Sequence, residues 1–251
     1  MSNPSIDPMT LLLASVRDPA EAELALHAGA DIVDLKDPGQ GALGALAPDV
    51  IAACVKHVAA RAPISATIGD PPLTGDAVRA AVLKTAALGV DYVKFGLFPG
   101  GDAERCLNRL KTAAARIRLI VVLFADALPN IDAIGLAAKI GAHGVMFDTM
   151  GKGTGSLPDH MSYMTLAGHI ATAKAEGLVV GLAGSLKAKH VPSLLALAPD
   201  LLGFRGALCQ AGDRAQTLDE GRLAAIRALI PERPRIWHEP NLADLAPQAL
   251  C

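Results

Sequence analysis

Two charged residues in residues 31–36 share one face of a predicted β-strand. Successive side chains of a strand point to opposite sides, and Val33 and Leu35 occupy the apolar positions. Asp34 and Lys36 therefore lie on the other side, with Cα atoms about 6.6 Å apart at a rise of ~3.3 Å per residue. A lysine beside a carboxylate can exchange a proton with it, and as a free amine it can attack a carbonyl carbon.

Two further predicted strands present charged residues in the same way. The apolar positions leave Lys94 on the inner face of one strand and Asp148 on the inner face of the other, and Lys152 follows in the next loop. One lysine–aspartate pair could be a structural ion pair. Two lysines on different strands facing one cavity favour chemistry, because burial and a second ammonium group lower the pKa of a lysine from about 10.4.

Eight short apolar runs alternate with Ala- and Leu-rich segments along the chain. The predicted strands are residues 11–15, 31–35, 64–68, 92–97, 119–124, 145–147, 179–183 and 201–204. The predicted helices lie near residues 19–29, 48–60, 75–88, 102–115, 131–140, 160–176, 188–197 and 219–230. This order predicts an α/β fold, a single-domain (β/α)₈ TIM barrel, in which active-site residues lie at the C-terminal ends of the strands. A doubly wound open sheet is the alternative, but it would not need eight regular units.

The predicted barrel covers residues 11–230, between a polar N-terminal segment (1–10) and a proline-rich C-terminal extension (231–251). We expect the extension either to pack on the outside of the barrel or to reach a neighbouring subunit of a homo-oligomer. Inside the barrel a weak repeat recurs, in which glycines 29, 89 and 141 close helices before alternate strands, where a positive φ suits glycine. Asp70 and Asp126 follow other strands and are further candidates for the site.

The segments after the last two strands resemble a phosphate cradle. Gly184 and Ser185 follow the seventh strand, and Arg205, Gly206 and Ala207 follow the eighth. Glycine lets backbone N–H groups approach an anion, and this position is the usual phosphate site of the fold. A tight turn with no ligand would leave the same short sequences. Their place in the barrel favours a small phosphorylated substrate.

Composition excludes several other classes of protein. The net charge of −2, with mixed signs, does not indicate a nucleic acid or a membrane surface as partner. The four scattered cysteines fit a reducing cytoplasm, and no signal peptide or membrane span is predicted. The histidines lack metal-ligand spacing and no dinucleotide motif follows a strand, so we expect neither a metal nor a cofactor. The glycine-rich segment 151–155 reads as a mobile lid.

A set of motifs in most of the barrel units is similar to one enzyme family. The stretches are ADIVDLKDPGQGALG (30–44), SATIGD (65–70), DYVKFGL (91–97), MFDT (146–149), LAGS (182–185) and FRGA (204–207). Together they closely resemble the (5-formylfuran-3-yl)methyl phosphate synthases of methanofuran biosynthesis. Each motif alone is unspecific, but the set is specific. The extension after Ile230 departs from the pattern.

The resemblance implies a (β/α)₈ lyase that condenses two molecules of glyceraldehyde 3-phosphate into a furan aldehyde phosphate, with loss of phosphate and water. It implies that Lys36 is the Schiff-base lysine and Lys94 the proton acceptor, and that Asp34, Asp148 and Lys152 are further active-site residues. The residues by themselves lead only to lysine chemistry on a phosphorylated carbonyl. Another Schiff-base aldolase of this fold, a non-catalytic barrel that binds phosphorylated metabolites and a metal-dependent isomerase remain as alternatives.

Overall fold

A closed barrel of eight parallel strands forms the centre of the protein. The computed structural model describes residues 10–151 and 153–231, so nearly all of segment 1–10, Lys152 and the extension beyond Pro231 lie outside the described residues. The strands pair in sequence order around the barrel, and β8 closes it against β1. They are β1 (Leu11–Val16), β2 (Ile32–Leu35), β3 (Ile64–Thr67), β4 (Tyr92–Gly96), β5 (Arg118–Phe124), β6 (Gly144–Asp148), β7 (Val179–Leu182) and β8 (Leu201–Phe204).

Helices follow the strands and surround the barrel, as the alternation of the sequence predicts. They are α1 (Pro19–His27), α2 (Pro48–Val58), α3 (Gly75–Ala86), α4 (Ala103–Ala114), α5 (Ala133–Lys139), α6 (Leu157–His160), α7 (Tyr163–Ala175), α8 (Val191–Leu195) and α9 (Glu220–Arg227). Short 3-10 turns at Ala188–His190, Gly206–Leu208 and Gln210–Gly212 accompany the last two units. Within the described residues, no helix is long and apolar enough to cross a membrane.

The helix predicted at residues 160–176 begins later, at Tyr163 of α7, and a separate short helix, α6, precedes it. Met161 has extended backbone angles, and Ser162 begins α7 as its N-cap, with its hydroxyl accepting from the N–H of Thr165. Such a cap satisfies an N–H that the first turn of a helix leaves unbonded. The segment predicted at 188–197 is also divided, into a 3-10 turn and the short α8.

Two apolar clusters lie on the two faces of the strands. The larger one fills the space between strands and helices and includes Val33, Leu35 and Phe95. The smaller one lies inside the barrel and includes Ile32 and Met146. This division follows the alternation along each strand. Polar residues can therefore occupy the remaining inward positions, which lie nearer the C-terminal ends of the strands.

Aspartates before β2, β4 and β8 support the N-terminal end of the barrel, and two of them, Asp31 and Asp91, lie two residues after Gly29 and Gly89 of the repeat. The carboxylate of Asp31 accepts a hydrogen bond from the N–H of Leu12 at 2.8 Å, and that of Asp91 accepts from Ile64 at 2.8 Å. Asp200 does the same for Val180 at 2.7 Å. Each aspartate precedes one strand and satisfies a backbone donor at the start of its neighbour, which a buried N–H requires. At Gly29 and Gly89 the repeat therefore accompanies an aspartate that supports the barrel, whereas Gly141 is followed by His143.

Candidate active site

A cavity of about 840 Å³ opens at the C-terminal ends of the strands. Its wall contains Asp34, Lys36, Lys94 and Asp148, together with residues of the loops that follow β7 and β8. Cavities of roughly 300–1,000 Å³ are typical of small-molecule sites. A second cavity, of about 200 Å³ and mainly apolar lining, lies deeper in the barrel and shares Lys94 with the first. The four charged residues chosen from strand alternation thus face one space.

Lys36 and Asp148 form an ion pair across the barrel mouth. Lys36 directly follows β2, Asp148 ends β6, and the Lys36 Nζ lies 3.6 Å from the Asp148 Oδ2. Their side chains are 9% and 5% exposed, so bulk water screens the pair weakly. The other carboxylate oxygen of Asp148 accepts from the N–H of Thr149 at 2.7 Å. The carboxylate is thereby oriented, and its Oδ2 faces the amine.

Asp34 is the centre of a second, still more buried group. Its Oδ1 lies 2.5 Å from the Lys94 Nζ, and the two side chains are 1% and 3% exposed. The hydroxyl of Ser15 donates to Oδ2 at 2.8 Å, and that of Ser65 donates to Oδ1 at 2.6 Å. Parallel register causes this arrangement, since Asp34 pairs with Ser15 of β1 and with Ser65 of β3. Neighbouring strands therefore supply the partners at one level of the barrel.

The electrostatics of this group fix the charge of Asp34. Burial raises the pKa of its carboxyl, but the ammonium groups of Lys94 and Lys36 and the hydrogen bonds outweigh burial and hold the pKa below its usual value. Asp34 is therefore an anion that interacts with both lysines. Sequence reasoning identified Asp34 and both lysines but missed Ser15 and Ser65, which support the carboxylate. Their inward positions in strand alternation were the available signal.

Asp126 and Asp70 are not among the residues that line the cavity. Asp126 accepts from the N–H groups of Met150 and Gly151 at 2.8 and 2.7 Å. Burial raises its pKa, but these donors outweigh burial and the pKa is lowered. Burial raises the pKa of Asp70, and the backbone of Leu43 and the charge of Lys36 counteract this. Asp126 therefore holds the loop after β6 in place.

We expect Asp126→Ala to loosen the chain that follows Asp148. Each lost hydrogen bond to the carboxylate is worth about 1.5–3 kcal/mol, so amide exchange at Met150 and Gly151 should accelerate by about 10- to 100-fold. Deuterium uptake followed at single residues measures this. Asp132→Ala, which removes the cap of α5 by releasing only the N–H of Gly135, is the matched control. Equal exchange at Gly151 in wild type and Asp126→Ala would contradict the role.

The predicted phosphate segments line the cavity on the side of β7 and β8. Gly184 and Ser185 both have positive φ, at 97° and 51°. A Cβ at Gly184 would lie 2.9 Å from the N of Thr149, so this close approach requires glycine. Within the described part of the chain, the N–H groups of Gly184, Ser185, Gly206 and Ala207 donate no hydrogen bond. These four donors are available to an anion.

The position of Arg205 after β8 suggested phosphate binding, but its side chain forms contacts within the protein. Its guanidinium donates to both carboxylate oxygens of Glu21 and to the carbonyls of Ser15, Arg214 and Gln216. These contacts use all five N–H donors of an arginine. Glu21 comes from α1, 184 residues earlier, so no local pattern predicts this partner. Arg205 therefore holds the loop after β8 together. Lys152, the last predicted catalytic residue, lies outside the described residues.

Known structures share the fold. Phosphoribosyl anthranilate isomerase from Thermus thermophilus superposes with a TM-score of 0.61 at 17% identity, over 95% of this chain and 100% of that chain. A 3-hexulose-6-phosphate synthase superposes with a TM-score of 0.58 at 20% identity, over 88% of this chain and 100% of that chain. At these identities the likeness concerns the barrel alone.

Sequence relatives are much closer. A Methylorubrum extorquens protein is 45% identical over 221 residues, 87% of this chain and 91% of its own, and its name provisionally assigns it as a (5-formylfuran-3-yl)methyl phosphate synthase. The (5-formylfuran-3-yl)methyl phosphate synthases of Methanococcus maripaludis strain C7 and Methanopyrus kandleri are 34% and 35% identical. The two alignments cover 85% and 81% of this chain, and 94% and 91% of the respective relatives.

A family model described as 4-HFC-P synthase matches residues 12–227. This range contains the barrel from the second residue of β1 to the end of α9, including the four charged residues that face the cavity. Together with relatives above 30% identity over most of both chains, the match shows that the protein belongs to the 4-HFC-P synthase family.

Proposed function

We propose that the protein condenses two molecules of glyceraldehyde 3-phosphate into (5-formylfuran-3-yl)methyl phosphate through a Schiff base on Lys36. The proposal rests on one observation above all: two buried lysines, each facing a carboxylate, occupy a single cavity at the active-site end of the barrel. The names of the relatives support the product. A methanofuran-type one-carbon carrier would then be the end product of the pathway.

Lys36 is the proposed nucleophile. Its ammonium group must lose a proton before the nitrogen can attack, and the Asp148 Oδ2 at 3.6 Å can accept that proton. The neutral nitrogen adds to the aldehyde carbon, and the resulting carbinolamine loses its hydroxyl as water to give an iminium ion. The iminium withdraws electrons from the neighbouring C–H bond, so that Lys94, in its free-amine form, can accept that proton as the resemblance implies and leave an enamine.

Lys94 and Asp34 are the proposed proton-transfer pair for the steps that follow. The enamine carbon forms a C–C bond with the aldehyde carbon of the second molecule, and the new alkoxide takes a proton from Lys94. Ring closure, elimination of one phosphate and dehydration complete the furan, and hydrolysis of the remaining Schiff base breaks its C–N bond, frees Lys36 and consumes one water. The net balance is two triose phosphates to one furan aldehyde phosphate, one phosphate and two waters. Asp34, fixed by Ser15 and Ser65, keeps Lys94 in position throughout.

Phosphate binding is assigned to the backbone after β7 and β8. The N–H groups of Gly184, Ser185, Gly206 and Ala207 supply the donors, and the Arg205–Glu21 pair holds the second segment in place. Asp70 and Asp126 are assigned to positioning of the loops, and Lys152 is retained as a candidate active-site residue because of the family resemblance.

Incubation with glyceraldehyde 3-phosphate alone tests the function. We expect a furan ultraviolet band to grow together with inorganic phosphate, in equal amounts and without added cofactor, in the presence of a chelator. A linear sugar phosphate without phosphate release would indicate an ordinary Schiff-base aldolase. Binding with no product would indicate a non-catalytic barrel, and activity lost to chelation a metal-dependent enzyme. Each of these three results would refute the proposal.

A further inference from the structure

Arg214 crosses the mouth of the barrel between two loops. Its backbone lies beside the segment after β8, where a Cβ built on Gly206 would stand 3.7 Å from the Arg214 Cβ. Its guanidinium reaches the loop after β2 and donates from Nη2 to the carbonyl of Gly41 at 3.1 Å. The side chain lines the large cavity. Its charged end is therefore on the side of Lys36, with β8 and β1 between it and the end of β7.

The charge of Arg214 has no carboxylate close to it. In residues 10–151 and 153–231, no carboxylate oxygen forms an ion pair with its guanidinium, and its side-chain hydrogen bond goes to the neutral carbonyl of Gly41. Burial lowers its pKa, and Asp148 and Asp37 counteract this from a longer distance. A guanidinium nevertheless remains charged at every relevant pH. A half-buried, unneutralised cation of this kind is suited to an anionic ligand.

Three cations of the cavity face carboxylates. Lys94 faces Asp34, Lys36 faces Asp148, and Arg205 faces Glu21. Beyond these pairs the wall contains four further cations, Arg214, Lys187, Lys189 and Arg222, and one further carboxylate, Asp213. The wall therefore has an excess of positive charge beyond its ion pairs, which favours an anionic ligand.

The position of Arg214 is fixed before any ligand arrives. The Nε of Arg205 donates to the Arg214 carbonyl at 3.0 Å, and its Nη2 donates to the Gln216 carbonyl at 2.8 Å. Arg205 is itself held by the buried Glu21. Pre-organisation reduces the entropy lost on binding. Arg205 and Glu21 are positioning residues for Arg214.

We propose that Arg214 binds the phosphate group of the second aldehyde molecule, at a subsite separate from the backbone donors after β7 and β8. The inference rests on the proposed function, in which two phosphate groups must occupy one cavity at the same time. Two phosphates in one cradle would repel each other strongly at short distance. A cavity of about 840 Å³ offers room for two triose phosphates. The Arg214 side chain extends from beside Gly206 to the Gly41 carbonyl, so its guanidinium lies towards the loop after β2.

Calorimetric titration with glycerol 3-phosphate tests the inference, because this analogue has the phosphate but no carbonyl and cannot form a Schiff base. We expect wild type to bind two equivalents. Arg214→Gln should keep one site with unchanged affinity and weaken the other by about 10- to 100-fold, the range for a hydrogen bond to a charged group. Arg214→Lys should be intermediate, because it keeps the charge and loses the fork of donors. Arg79→Gln, on the outer helix α3, is the matched control and should bind two equivalents.

One site in wild type, no binding to wild type, or two unchanged sites in Arg214→Gln would each overturn the subsite. Equal melting temperatures exclude misfolding, and Arg214→Lys supplies the comparison if the glutamine variant does not fold. The outcome is independent of catalysis. Two-site binding without any borohydride-trapped lysine would refute the Schiff base and keep the subsite, whereas a trapped lysine with a single site would do the reverse.

Discussion

Replacing Lys36 with alanine is expected to lower kcat/KM for furan formation by at least about 10³-fold, since removal of a covalent nucleophile usually costs this much or more. Lys36→Arg should be equally inactive, because a guanidinium stays protonated and cannot add to a carbonyl. Initial rates of phosphate release from glyceraldehyde 3-phosphate measure the effect. Substrate should still bind, because the proposed phosphate donors are elsewhere.

Lys56→Ala is the matched control for this experiment. Lys56 is exposed on α2, and its loss should leave the rate unchanged. Circular dichroism of each variant shows whether the barrel is intact. An arginine variant at position 36 with substantial activity would require another nucleophile, and Lys94 is the next residue to test.

Asp34→Asn is expected to reduce the free energy of unfolding by about 3–5 kcal/mol, the cost of breaking a buried ion pair from one side. The substitution leaves the Lys94 ammonium, which is 3% exposed, without the carboxylate that lies 2.5 Å away. Urea unfolding of wild type and variant measures the difference. A loss of less than about 1 kcal/mol would show that the pair contributes little to stability.

A double variant measures the interaction energy between Asp34 and Lys94. Asp34→Asn combined with Lys94→Met should lower the free energy of unfolding by clearly less than the sum of the two single variants. Each single variant leaves one buried charge without its partner, whereas the double variant leaves none. Simple additivity would contradict the coupling that the short contact indicates. Activity should be lost in all three variants.

The contribution of Asp34 to stability should depend on pH. Its carboxyl has a lowered pKa in the folded protein, so folding is favoured above the pKa of the unfolded chain, about 3.9. That contribution is lost as the pH falls through the lower, folded value. The difference between wild type and Asp34→Asn should therefore be complete at neutral pH and shrink in strong acid. A difference that grew on acidification would have the wrong sign.

The sequence was sufficient for the barrel and for the facing of its charged residues. Each strand is short and buried on both sides, and the alternation of Val33, Asp34 and Leu35 shows which side chain points inward. The same alternation predicted that Lys94 and Asp148 point inward, and both line the cavity. The break between α6 and α7 was missed, because a capping serine inside an otherwise helical pattern is a weak signal.

Contacts between distant parts of the chain set the limit of sequence reasoning. Arg205 follows a strand at a position typical of phosphate binding, yet Glu21 of α1 and the loop carbonyls occupy its donors. Arg214 belongs to an irregular loop with no periodic pattern, so nothing local marks it. Both assignments need the three-dimensional neighbours, because a guanidinium binds whichever acceptor the fold brings to it.

Borohydride reduction of the protein during incubation with glyceraldehyde 3-phosphate, followed by peptide mass spectrometry, tests the central claim most directly. The account predicts one triose phosphate per chain, reduced onto the ε-nitrogen of Lys36 and absent from Lys36→Ala. An adduct on another lysine, or no adduct in a preparation that releases phosphate and makes the furan, would contradict it.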